Sequence, residues 1–190
     1  MSKKVVLIGD SIRIGYEGVV RARLDGVAEV ASAEQNGGDS RRVLENVEAW
    51  AISVAPDVVH VNCGLHDLNT PFDTGEARVP LAEYKQNVMQ ILEALKAGIK
   101  GTVIWGYTTP VNEARHHENK PFDRFEADVL AYNAEAVAVC ESLGILTNDL
   151  YTVVMEAGRD DLLGPDGVHF GEEGYRVLGE AVAQAIRERL

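Results

Sequence analysis

The chain has 190 residues, 46% of them hydrophobic and 25% charged, with a formal net charge of −12. That length suits one domain with a sizeable core, so the expectation is a single domain over residues 1–190. The acidic balance argues against nucleic acid or an anionic membrane as partner, because both reward basic surfaces, and it mildly disfavours a polyanionic substrate, although a local basic pocket could override the total.

Lys3-Lys4 leads into an apolar run too short for the hydrophobic part of a signal peptide. No stretch approaches the roughly 18 apolar residues that span a bilayer. A cytoplasmic location is the expectation. Cys63 and Cys140 form neither a disulfide framework nor a metal pattern.

The first strand is Val5 to Ile8, which ends abruptly in Gly9-Asp10-Ser11 and gives way to a helical pattern from Arg13 to Leu24. Ala28 to Ala33 reads as a second strand. Gly37-Gly38 breaks it, and Ser40 to Ser53 reads as a helix. Pro56-Asp57 punctuates before a third strand, Val58 to Asn62, again closed by a glycine turn. A polar loop, Asn69 to Arg78, precedes a helix from Pro80 in which Val88, Ile91, Leu92 and Leu95 share a face and Gly98 is the stop.

Thr102 to Trp105 is the fourth strand. The segment Tyr107 to Pro121 reads as a long irregular loop, and a loop of that length in a compact domain is usually functional or mobile. A helix from Phe122 to Leu143 is expected to turn Val129, Leu130, Ala136 and Val137 inward. Ile145 to Thr147 is a weak fifth strand, Leu150 to Ala157 a short helix, and Glu172 to Arg187 a clean amphipathic one. Strands alternating with helices predict a three-layer α/β/α sandwich around a central, mostly five-stranded parallel sheet.

In such a sheet the turns after the strands gather at one edge, where ligands bind. Those turns carry Gly9-Asp10-Ser11, Asn36-Gly37-Gly38-Asp39-Ser40 and Gly64-Leu65-His66-Asp67, and Asp166-Gly167-Val168-His169 stands just before the last helix. Ser11 is either a helix cap or a nucleophile set beside backbone N–H groups. An acid three residues before a histidine can hold the imidazole tautomer while the other nitrogen faces a serine, whose free hydroxyl is barely nucleophilic. Gly38 offers an N–H with no Cβ in the way. Each has a bland alternative as turn or cap. Their joint order disfavours it.

On these blocks the chain resembles the GDSL or SGNH hydrolases, flavodoxin-like α/β/α esterases and acyl hydrolases, nearly end to end. The resemblance makes Ser11 the nucleophile and first oxyanion donor, Gly38 the second donor, and Asp166 and His169 the remaining members of a catalytic triad. Phe170-Gly171-Glu172-Glu173-Gly174-Tyr175 resembles the usual continuation. One block departs. Where the family has Gly-x-Asn-Asp, this chain has Gly64-Leu65-His66-Asp67, so His66 replaces the asparagine that supplies the third oxyanion donor. A neutral imidazole donates one N–H and an imidazolium two. Three accounts of His66 compete: a substituted donor, a reader of a polar substrate group, or a structural histidine tied to Asp67.

The expected activity is serine esterase chemistry on short acyl groups, acetyl first, carried by a polar alcohol such as a carbohydrate, with no cofactor and no metal. The alternatives are a catalytically weak or inactive binding module with the same fold, or a metal-dependent hydrolase, although Asp10, His66, Asp67, His116, His117, Asp166 and His169 match no known metal-motif spacing. Cys63 as a thiol nucleophile is less simple than Cys63 as a small packed residue. Asp10, Asp67, Tyr107, Arg115, His116 and His117 are candidate substrate contacts. Trp105-Gly106-Tyr107 could form an aromatic wall, and Trp50 reads as helix packing.

Overall fold

The computed structural model describes residues 2–190. Five parallel strands form one sheet: β1 (Lys3–Ile8), β2 (Ala28–Ser32), β3 (Val58–Val61), β5 (Thr102–Gly106) and β7 (Leu146–Asn148), in the order β2-β1-β3-β5-β7. Val5 to Ile8 and Val58 to Val61 are wholly buried. The continuous apolar run of β1, as opposed to an alternating one, is what a parallel strand covered on both faces requires, and β3 keeps it but for the buried His60. The sheet reverses its winding between β1 and β3. Their register, Val5 against Val58 through Ile8 against Val61, brings the turns after both strands to the same edge.

Helices cover both faces. α1 (Ser11–Arg23), α6 (Leu150–Glu156) and α8 (Glu172–Arg187) pack on one side, with α1 and α6 both against α8. α2 (Ser40–Trp50), α3 (Leu81–Gly98) and α5 (Glu126–Leu143) pack on the other, with α3 between its neighbours. Asp10 caps α1, accepting from Ile12 N–H at 2.9 Å, so Ser11 is not the cap but the first helical residue. Asp39 caps α2 in the same way through Arg42 N–H. Carboxylates at these positions meet the positive end of the helix dipole.

Four expectations need correction. The predicted second helix stops at Trp50, and a 3-10 turn over Ile52–Val54 takes the chain on. The segment after Tyr107 is not irregular: Asn112 caps a helix, α4 (Glu113–Asn119). The next helix begins at Glu126, because Phe122 and Asp123 are strand residues. As β6 (Phe122–Asp123) they pair antiparallel with β4 (Thr70–Pro71), a two-stranded ribbon that ties two loops together. On α5, Leu130 is half exposed, and the inward face is carried by Val129, Tyr132, Asn133, Ala136, Val139 and Cys140. The remaining short helix, α7 (Arg159–Leu162), leads towards the Asp166 turn. Among the described residues no helix is long and apolar enough to cross a membrane.

Candidate active site

The carboxyl edge of β1 delivers Ser11. Its neighbouring loop is stitched to it by backbone: Gly37 N–H donates to Gly9 O at 2.9 Å. From the buried side, Arg13 Nη2 donates to the carbonyls of Ala33 and Gln35, both at 3.0 Å. The loop that carries Asn36 and Gly38 therefore has a fixed position relative to the serine.

Ser11 Oγ lies 2.9 Å from His169 Nε2, and His169 Nδ1 lies 2.6 Å from Asp166 Oδ2. Asp166 Oδ1 accepts the N–H groups of Val168 and His169, at 3.1 and 2.9 Å, so the carboxylate is fixed by its own turn. Lys120 Nζ stands 3.1 Å from Asp166 Oδ2. Partial burial alone would raise the Asp166 pKa, but bonds from the His169 side chain, the His169 and Val168 N–H groups and Lys120 outweigh it. They hold the carboxyl well below the usual carboxylate range. An ionised Asp166 keeps the His169 proton on Nδ1 and leaves Nε2 to accept from Ser11.

Gly38 has φ +67°, the left-handed region that favours glycine. Its N–H is already engaged, donating to Asn36 Oδ1 at 2.9 Å. His66 stands beside this pair, between two hollows that share lining residues. One, about 290 Å³, holds Ser11, His169, Asp10, Leu65, Phe122 and Arg124; the other, about 450 Å³, is polar and holds Gly38, Asp39, Arg42 and Arg78. Asn36 and His66 border both. Burial lowers the His66 pKa below its ordinary value, with Arg124 and Arg78 pushing the same way against Asp10 and Asp39. At neutral pH His66 is an uncharged imidazole with a single N–H to give.

Asp67, the residue after His66, is a support for the neighbouring loop. It is fully buried, and its two oxygens accept from Ser40 N–H at 2.9 and 3.1 Å. Burial pushes its carboxyl up to about 7. His66 is therefore not tied to Asp67, and Asp67 does not reach the cleft. Thiol chemistry at Cys63 is disfavoured too, because the side chain is buried and its pKa is pushed well up by that burial.

Several further candidates also fall away from the cleft. Tyr107 turns to the far edge, where its N–H meets Asn148 O and its hydroxyl meets Thr147. Trp105 is buried in the core and forms no wall. Arg115 donates to the carbonyls of Asp160 and Leu163. His117 is exposed and bonds Asp123. His116 is buried, with Nδ1 3.1 Å from Asp166 O. It braces the turn from behind. Of the proposed substrate contacts only Asp10 lines the cleft. Sequence reasoning missed Asn36, Phe122 and Arg124. Among the described residues no three His, Cys, Asp or Glu side chains cluster as metal ligands would.

The arrangement can move a proton from a serine to an imidazole next to a helix N-terminus, whose Ser11 N–H has no acceptor among the described residues. Comparison with known proteins gives a concordant picture. The model of the GDSL-like Lipase/Acylhydrolase family matches residues 7–177. A GDSL esterase/lipase of Arabidopsis thaliana is 29% identical, over 99% of this chain and 87% of its own length. The lipase/acylhydrolase of Enterococcus faecalis superposes with a TM-score of 0.84 at 22% identity, over 99% of this chain and 97% of that one. A catalytic mutant of an acetylxylan esterase from Geobacillus stearothermophilus gives 0.79 at 20% identity, over 98% and 95%. At these identities the solved structures speak for the fold.

Proposed function

The chain belongs to the GDSL-like lipase/acylhydrolase family and is a hydrolase of carboxylic esters, and from that premise we propose that it works as a serine esterase through Ser11, His169 and Asp166. The observation that carries this reading is the unbroken chain Ser11 Oγ–His169 Nε2, His169 Nδ1–Asp166 Oδ2 at the mouth of the cleft. His169 takes the Ser11 proton as the hydroxyl attacks the ester carbonyl, and Asp166 steadies the imidazolium. The tetrahedral oxyanion is received by the N–H groups of Ser11 and Gly38 and by the His66 side chain. His169 then protonates the departing alcohol, and water repeats the sequence on the acyl-enzyme.

The substrate in this reading is a short acyl ester, acetyl foremost, on a polar alcohol of the carbohydrate kind. The small hollow at Ser11 supports a short acyl group with the head of its alcohol beside His169, and the polar hollow beyond His66, with Asp39, Arg42 and Arg78, supports a polar substrate over a fatty one. A panel of acetylated sugars and aryl esters of increasing chain length tests it. Acetate release from the sugars, falling with acyl length and abolished in Ser11→Ala, is expected. Faster turnover of long-chain esters would contradict the short-acyl assignment.

A further inference from the structure

Arg124 is 6% exposed, yet it lines the same hollow as Ser11 and His169. Its guanidinium is only partly used. Nε donates to Leu65 O at 2.6 Å, Nη1 is 3.4 Å from His116 Nε2, and Cζ stands 4.9 Å from the centroid of the Phe122 ring. Nη2 makes no hydrogen bond to any described residue, and it is not among the polar atoms sealed from solvent without a partner. Arg124 thus borders the cleft with one guanidinium nitrogen, Nη2, neither bonded nor sealed from solvent.

The charge balance makes this unusual. Asp10 and Asp166 are the carboxylates whose field reaches Arg124, and neither bonds it. Asp10 is committed to Ile12 N–H, and Asp166 to His169, Val168 N–H and Lys120. Burial pulls the Arg124 pKa down, but only to about 10, so the group stays cationic at neutral pH. A buried cation without an anion against it is costly, and a planar guanidinium with a spare edge is a fitted receptor for a carboxylate.

Its position indicates which half of the ester would meet it. Arg124 touches His116, which bonds the Asp166 carbonyl, and Lys120 bonds the Asp166 carboxylate. Both cations thus flank the residues behind the His169 ring, the ring that protonates the departing alcohol. Resting on the esterase reading above, we propose that Arg124, seconded by Lys120, recognises a carboxylate on the alcohol half of the substrate, so that the preferred class is a short acyl ester of an acidic alcohol.

The test compares 4-acetoxybenzoate with 4-acetoxybenzamide, which share the acetyl group and the ring and differ by one charge. The wild type is expected to favour the acid in kcat/KM, and Arg124→Gln to shrink the acid-to-amide ratio by about tenfold or more. Arg124→Lys, which keeps the charge but not the fork, is expected to retain part of it. An unchanged ratio in Arg124→Gln, even with both activities lowered together, would make Arg124 purely structural and overturn the proposal. Calorimetry on Ser11→Ala separates the two readings. Tighter binding of 4-hydroxybenzoate than of 4-hydroxybenzamide, lost on adding Arg124→Gln, supports the subsite whatever becomes of Ser11 as nucleophile. Equal binding removes the subsite and leaves the esterase reading standing.

Discussion

The Gly38 N–H lies 2.9 Å from Asn36 Oδ1, so a group assigned to receive the oxyanion is held, before substrate arrives, by a neighbouring side chain. The bond fixes the left-handed turn at Gly38, but it must be shared or surrendered when negative charge develops on the substrate. Asn36→Asp would make the bond charge-assisted and set a carboxylate beside the oxyanion. A fall in kcat of about tenfold or more is expected for Asn36→Asp, well beyond that of Asn36→Ala. Equal rates in the two variants would show that Gly38 does not act as a donor.

His66 borders both hollows and is uncharged at neutral pH, because burial lowers its pKa. In the proposed role of oxyanion donor it would act on the transition state more than on bound substrate. His66→Ala is expected to lower kcat by roughly 10²–10³ with KM little altered. As a neutral donor it also leaves kcat on a plateau as pH rises from 7 to 9. An alkaline decline that disappears in His66→Ala would mean that the imidazolium is the working form.

Gly64 opens the turn that carries His66, at φ +153°, and a Cβ there would lie 2.1 Å from Thr108 Oγ1. Thr108 is itself fixed, donating through that oxygen to Cys63 O. Gly64→Ala therefore combines backbone strain with overpacking. A loss of about 2 kcal/mol or more in denaturant unfolding is expected, with activity falling as His66 shifts. Wild-type stability in the variant would show that the turn relaxes freely.

Asp67 gives stability a pH dependence of unusual sign. An unfolded Asp releases its proton near pH 4, whereas buried Asp67 holds it to about 7. The folded state binds the extra proton between those values, so the Asp67 contribution falls as pH rises across them and stays low above 7. Asp166 works in the opposite direction: with its pKa depressed, its contribution is present above the unfolded value near pH 4 and is lost as pH falls below it. Asp67→Asn should flatten the decline between pH 4 and 7, which in the wild type is on the order of 2–4 kcal/mol. Chemical denaturation at pH 4.5, 6 and 8 measures it, and identical slopes in the two proteins would contradict the assignment.

The elements that place Ser11, Asp166 and His169 were legible because each stands where a strong periodic pattern stops: an apolar strand before Gly9, an amphipathic helix after Gly171. Gly38 was legible as a glycine, but not as one whose N–H is taken, since no pattern announces a bond two residues back to Asn36. Tyr107, Arg115, His116 and His117 were chosen by residue type within a segment read as loop. Once α4 forms there, its helical geometry sends Arg115 to the carbonyls of Asp160 and Leu163 and buries His116. Arg124 went unseen because the residues around it read as a helix start. Its setting between Phe122 and Phe125 was the one trace of a partly apolar site, and its contact with Leu65 spans residues far apart in the chain.

Whether Ser11 is an activated nucleophile is read by intact-mass labelling with a fluorophosphonate, wild type against Ser11→Ala. A single adduct that forms on the wild type and is absent from the variant is the expected result, with the phosphonyl oxygen stabilised where the tetrahedral oxyanion would sit. An adduct that persists in Ser11→Ala would place the nucleophile elsewhere. No adduct on the wild type, together with no turnover of small acetyl esters, would contradict the account and leave a fold that binds esters without cleaving them.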